Sequence, residues 1–246
     1  MPIEEKNMDK FIESIHGSFN KKLVDKKNFN NLKHIPLNIN EGLYLLDIEQ
    51  NKIIYKRGFK NLLGCDRNYI TFNFLLNSIH PDDSEITQRV TRVALLHSLE
   101  YPENSKNNVL QICYRRKIKD GSYIKVLSQT SVFNVDTSGL ATCFLIKLTD
   151  ISFLDKSDNV NWNFISDDLD REVFNEKVYS IYNRTFTKRE RQVIKEIVKG
   201  NPNKFIADTL NVSEHTIATH RKNILRKSNC HNIEELVIFC KGKGII

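Results

Sequence analysis

From Thr187 to Lys241 apolar residues recur at helical spacing in four short bursts, each bounded by residues that start or stop helices. Thr187 followed three residues later by Glu190 predicts a capping box, hydroxyl and carboxylate each satisfying an end N–H. Val193, Ile194, Ile197 and Val198 then share one face, and Gly200 ends the helix where a left-handed residue is wanted. A second short helix from about Lys204 carries Phe205, Ile206 and Leu210. Asn211-Val212 makes a tight turn, Ser213 caps a third helix to about Lys227, and a fourth short helix follows.

Upstream the pattern shortens to strands. Gly42–Asp47 and Lys52–Tyr55 flank Ile48-Glu49-Gln50-Asn51, a hairpin connection. Short helical segments follow, then His80-Pro81-Asp82-Asp83 as a break and a helix from about Ser84 to Leu99. Strands are expected near Asn108–Lys119, Ser122–Val135 and Leu140–Thr149, with Asp120-Gly121 turning the first two. Two strands, helices and three strands predict a five-stranded antiparallel sheet with helices on one face, an α+β domain over residues 35–155. Residues 1–34 form an amphipathic helical segment on Met8, Phe11, Ile12, Ile15 and Phe19, which either caps that domain or pairs with its copy. Residues 156–182 are expected as a polar linker to about Asn163, holding the single Trp162. A signalling helix follows, capped by Ser166, led by Asp167-Asp168 and apolar at Leu169, Val173, Phe174, Val178 and Ile181.

Charge sharpens this division. The 246 residues carry a formal charge of +7, and 12 of the 37 Lys and Arg but only 6 of the 30 Asp and Glu lie from Thr187 onward. The basic excess therefore belongs to the C-terminal quarter, as a phosphate-binding surface requires. Cys65, Cys113, Cys143, Cys230 and Cys240 form no CxxC pair, so reduced thiols are expected, with no zinc or other metal site. No apolar run reaches membrane-spanning length, which predicts a cytoplasmic protein with no membrane partner. There is no Gly-rich phosphate loop, HExxH or Gly-x-Ser-x-Gly, so no catalytic residue is proposed and the protein is expected not to be an enzyme.

The third helix of the C-terminal quartet bears the candidate chemistry. His215, Thr219, Lys222 and Arg226 follow at intervals of four, three and four, an outward stripe without carboxylates, while Ile217 and Ile224 share the buried side. Such a helix fits the DNA major groove, where side chains read base edges. A solvated face would look similar; the two shorter helices ahead favour DNA.

Thr187-x-Arg189-Glu190, Gly200, Ile206-Ala207, Leu210, Ser213, Thr216-Ile217, His220, Ile224 and Lys227 resemble the signature of the LuxR/NarL-type helix-turn-helix module. The resemblance covers about the last quarter of the chain. It implies an all-α four-helix domain over residues 183–246 that regulates transcription on double-stranded DNA, commonly as a homodimer paired through the fourth helix, about Asn232 to Lys241. It also implies that Thr219 and Lys222 approach bases, while Lys204, Ser213, Thr216, His220 and Lys227 sit near the backbone or support the helix. Ala218 stands where many members place a base-reading Lys, and Ser228 replaces a usual Leu, implying a different operator and looser packing of the fourth helix.

The upstream domain resembles a PAS domain through Gly64, His80-Pro81-Asp82-Asp83, Asp120-Gly121 and Asp150-Ile151. That resemblance implies a sensory or dimerisation module with a pocket between sheet and helices. No cofactor is expected. Cys65 lies in Gly-Cys-Asp-Arg-Asn rather than a flavin-reactive motif, and His97 among Leu95, Leu96 and Leu99 reads as a packed histidine rather than a haem ligand. A small organic ligand, or no ligand and a partner surface, both stay open; strand alternation does not assign pocket residues. The chain as a whole reads as a multidomain transcription regulator. Two other readings remain: an adaptor whose terminal helices bind a partner such as RNA polymerase, and a cofactor-bearing redox or gas sensor.

Overall fold

A computed structural model describes residue 12, residues 32–180 and residues 185–242. The expected N-terminal helical segment lies outside the described residues except for Ile12 and residues 32–34, and so does Ile181. The chain divides into two compact units, Met1–Asp170 and Arg171–Ile246.

In the first unit, β1 (Glu41–Asp47) and β2 (Lys52–Arg57) form a hairpin. Its turn is closed by Asn51 at φ 47° and by the Gln50 N–H donating to Asp47 Oδ1 at 2.9 Å. Gly58 follows at φ 88°, its backbone so close to β1 that a Cβ would stand 2.2 Å from the Glu41 carbonyl oxygen. The short helices α1 (Phe59–Leu63) and α2 (Phe72–Asn77) lead to α3, Pro81–Glu100. The segment His80 to Asp83, expected as a break before a helix at Ser84, is instead the helix start. His80 is the N-cap, its Nδ1 accepting from the Asp82 N–H at 3.2 Å, and Pro81 takes the first turn, where its missing N–H costs nothing.

A 3-10 segment, Pro102–Asn107, precedes β3 (Val109–Lys117), β4 (Tyr123–Val135) and β5 (Ala141–Asp150). A device invisible to hydrophobic patterning recurs at the strand ends. In Asp120-Gly121-Ser122, Asp136-Thr137-Ser138, Asp150-Ile151-Ser152 and Asp155-Lys156-Ser157 the Asp Oδ1 accepts the Ser N–H at 2.8, 2.8, 2.9 and 2.8 Å.

The sheet has six antiparallel strands, not five, in the order β2-β1-β5-β4-β3-β6. The sixth, β6 (Asn161–Ile165), includes Trp162 and Asn163 of the expected linker and pairs with β3 from Val109↔Ile165 to Cys113↔Asn161. Its polar composition hides it: as an edge strand it buries Phe164 while Asn161 and Ile165 stay exposed. Buried Lys125 anchors the approach, its Nζ donating to Ser157 O at 2.9 Å and to Asn159 O. The remaining order, with helices inserted between β2 and β3, is the topology the PAS resemblance implies.

Asp167 and Asp168 do not open a helix. They accept from Asn107 and Asn104 side chains at 2.7 and 2.8 Å, fastening the end of the first unit to the 3-10 segment, and Ser166 Oγ bonds His97 rather than capping. Helix α4 begins at Arg171 and ends at Val178, burying Phe174 and Val178.

The rest of the second unit is α5 (Lys188–Val198), α6 (Asn203–Leu210), α7 (Glu214–Ser228) and α8 (Ile233–Gly242). Both halves of the Thr187–Glu190 capping box form. Gly200 takes φ 84° after α5, and Asn211 and Asn229 take φ 52° and 55° after α6 and α7. The apolar faces close on one core of Phe186, Val193, Ile194, Ile197, Ile206, Ala207, Ile217, Ile224, Leu236 and Cys240.

Candidate nucleic-acid interface and interior cavity

Helix α7 is positioned from both sides. Ser213 Oγ accepts the Thr216 N–H at 3.1 Å and lies 2.8 Å from Thr216 Oγ1, fixing the N-terminal turn. Ile217 and Ile224, both 0% exposed, seat the helix on the core. The opposite face carries His215, Thr219, Lys222 and Arg226, all exposed, with Ala218 beside them. Thr219 Oγ1 donates to His215 O at 3.0 Å, which holds its methyl and remaining acceptor sites in one orientation, and Arg226 Nη2 donates to Asn223 Oδ1 at 3.2 Å. Lys204 is exposed near the start of α6.

The other expected contact residues behave differently. His220 and Thr216 are half-buried, and Lys227 Nζ sits 2.7 Å from Glu190 Oε2. Burial alone would push the Glu190 carboxyl up. The Lys227 ammonium and the Thr187 N–H and hydroxyl outweigh it and hold the carboxyl below its ordinary value. The same carboxylate therefore serves the capping box of α5 and ties down the end of α7.

Two arginines that periodicity does not single out do comparable work. Arg189 donates to the Leu210 carbonyl, joining α5 to the end of α6, and Arg221 Nη2 donates to Asn201 O at 3.4 Å. Burial lowers the Arg221 pKa. Ser228 is buried, its hydroxyl donating to Ile224 O at 2.9 Å and Leu225 O at 3.1 Å.

The first unit encloses a cavity of about 120 Å³ between sheet and helices. Apolar walls include Leu110, Ile112, Phe144 and Ile146, and polar groups come from Thr87, Asn108, Tyr114 and Arg116. Strand β3 supplies four of these because it alternates strictly: Leu110, Ile112, Tyr114 and Arg116 are buried and the residues between them are half-buried. That alternation was the available signal, masked because the inward row ends in a tyrosine and an arginine. Burial also pushes the buried Tyr44 phenol, on the cavity wall, well up.

Neither Cys65 nor His97 lines this cavity among the described residues. The Cys65 thiol lies 3.5 Å from Leu63 O in the core. His97 Nε2 is 3.0 Å from Ser166 Oγ, and its ring packs edge-on against Phe164 at 5.3 Å. Burial pushes the Cys143 and Cys240 thiols up to about 12. Among the described residues no cluster of three or more His, Cys, Asp or Glu could hold a metal ion, and no helix is long and apolar enough to cross a membrane.

Residues 184–240 match the family model described as "Bacterial regulatory proteins, luxR family". Over 61 residues the chain is 41% identical to an uncharacterized transcriptional regulatory protein, YxjL, of Bacillus subtilis, covering 25% of this chain and 28% of that protein. Over 78 residues it is 36% identical to the nitrate/nitrite response regulator protein NarP of Escherichia coli, covering 30% and 34%. The chain thus spans about a third or less of the length of these relatives. A solved phage VqmA–DPO complex aligns over 90% of this chain and 89% of that one, at 16% identity and a TM-score of 0.34. The second unit therefore carries a LuxR-family helix-turn-helix at residues 184–240.

Proposed function

We propose that this chain, carrying a LuxR-family helix-turn-helix, is a sequence-specific transcription regulator that binds duplex DNA as a homodimer under control of its PAS-like unit. The observation that carries the proposal is the face of α7, where His215, Thr219, Lys222 and Arg226 stand exposed on a helix capped and cored to stay rigid. Lys222 and Thr219 read base edges in the major groove; Lys204, His215 and Arg226 meet the flanking phosphates. Ser213, Thr216, His220 and Lys227 hold the helix in place. Exposed Ile238, at 69%, supports pairing through α8, with half-sites about one helical turn, ~34 Å, apart. The cavity supports a sensory role for the first unit, with a small organic ligand as the signal. The role is regulatory and cytoplasmic rather than enzymatic, with RNA polymerase as a further partner.

Selection from a pool of random duplexes by the full-length protein tests this directly. An enriched site should emerge, and its affinity should fall on the order of 10³-fold between about 50 and 200 mM salt. Failure to enrich any sequence, with binding insensitive to salt, would refute the proposal and favour an adaptor that docks on protein.

A further inference from the structure

Arg116 ends the inward row of β3, is 2% exposed and lines the cavity. Among the described lining residues it is the one cationic side chain, and none is Asp or Glu. Its partners are all neutral: Nη1 donates to Leu75 O at 2.6 Å and to the Ser78 hydroxyl, and Nη2 donates to the Tyr114 hydroxyl. A guanidinium taken out of water is costly unless a countercharge faces it. Other arginines follow that rule: Arg115 is paired with Asp83 at 2.6 Å and Asp158 at 3.1 Å, and Arg89 with Glu85 at 2.6 Å.

The donor count leaves room for an anion. Both Nη1 protons and one Nη2 proton are used, while Nε is buried without a partner. One Nη2 proton and the Nε–H remain, enough for both oxygens of a carboxylate. Two further buried atoms on lining residues, Thr87 Oγ1 and Asn108 Oδ1, also lack partners. The volume of about 120 Å³ is comparable with an engineered apolar cavity of about 150 Å³ that accepts benzene.

We propose that the first unit binds a small monocarboxylate with an apolar body, one ring or a short branched chain. Its carboxylate sits on Arg116 and its body against Leu110, Ile112, Phe144 and Ile146. The ligand supplies the countercharge that the fold withholds from Arg116. This inference rests on reading the first unit as the ligand-sensing part of the protein.

Titration calorimetry of the full-length protein against benzoate and isovalerate, and against the matched neutral amides benzamide and isovaleramide, tests it. At least one acid should bind tenfold or more tightly than its amide. Arg116→Lys keeps the charge but loses the fork and should weaken that acid about tenfold. Should that variant not fold, Ala94→Leu, which fills the cavity and leaves Arg116 in place, should abolish acid binding. Equal affinity for acid and amide, no binding of either acid, or acid binding unchanged in a folded variant overturns the inference. The measurement contains no DNA. A protein that prefers acid over amide yet selects no duplex refutes the DNA reading alone, and the converse refutes this inference alone.

Discussion

Lys222 and Lys227 stand five residues apart on α7 and are both exposed, and of the two, among the described residues, only Lys227 has a carboxylate beside it. Lys222→Ala should weaken binding to the selected site by about 1–3 kcal/mol and relax preference at one base pair, with little effect on melting temperature. Lys227→Ala leaves the Glu190 carboxylate, 5% exposed, without its cation. Because Lys227 is itself about one-third exposed, the loss should fall between surface and buried pairs, about 1–2 kcal/mol of stability. All duplexes should then be bound less well, alike. Thermal melting beside anisotropy on specific and random duplexes separates the two; a Lys227 variant with unchanged melting and altered base preference would reverse the assignment.

At the scale of elements, the helix-turn-helix is held by its caps as much as by its core. Thr187→Ala or Ser213→Ala should each cost about 1 kcal/mol, the first loosening α5 and the second the N-terminal turn of α7. Glu190 adds a pH dependence whose sign is fixed by its lowered pKa. The stability it contributes is complete above the ordinary carboxyl value of 4.5 and is lost as pH falls through the lower folded value. The melting difference between wild type and Glu190→Gln should therefore be constant near neutrality and close progressively below pH 4.5. A gap that widens on acidification would show that the carboxyl is not held low by Lys227.

For the molecule as a whole, the sixth strand lies beyond residue 155, inside a first compact unit that runs to Asp170. A chain ending at Asp155 would uncover the β3 edge, lose the buried Phe164 and strip His97 of its Ser166 and Phe164 contacts. A fragment 32–155 should accordingly unfold at lower urea than a fragment 32–170, by far-UV circular dichroism. Equal midpoints would make β6 an ornament of the sheet rather than part of its core.

Periodicity and cap residues determined the four short helices of the C-terminal unit. Its helices are short and amphipathic, and their ends are set by residues whose local chemistry is unambiguous: Thr187 with Glu190, Gly200, Asn211 and Ser213. The exposed stripe on α7 follows from 3.6-residue geometry once Ile217 and Ile224 point inward. The five main strands and their antiparallel class were legible because the turn residues bounding them are local signals too; their order in the sheet comes from the structure. What only the tertiary structure decided are pairings between residues distant in sequence. Asn161–Ile165 is a strand because the β3 edge offers it hydrogen bonds, not because its own composition favours one. Asp167 and Asp168 read as helix-opening acids until Asn107 and Asn104 arrive beside them. Nothing in the sequence pattern singles out Arg116. The fold closes around it with carbonyl and hydroxyl acceptors and, among the described residues, no anion, and charge balance between residues dozens of positions apart is set by the fold rather than by any local pattern.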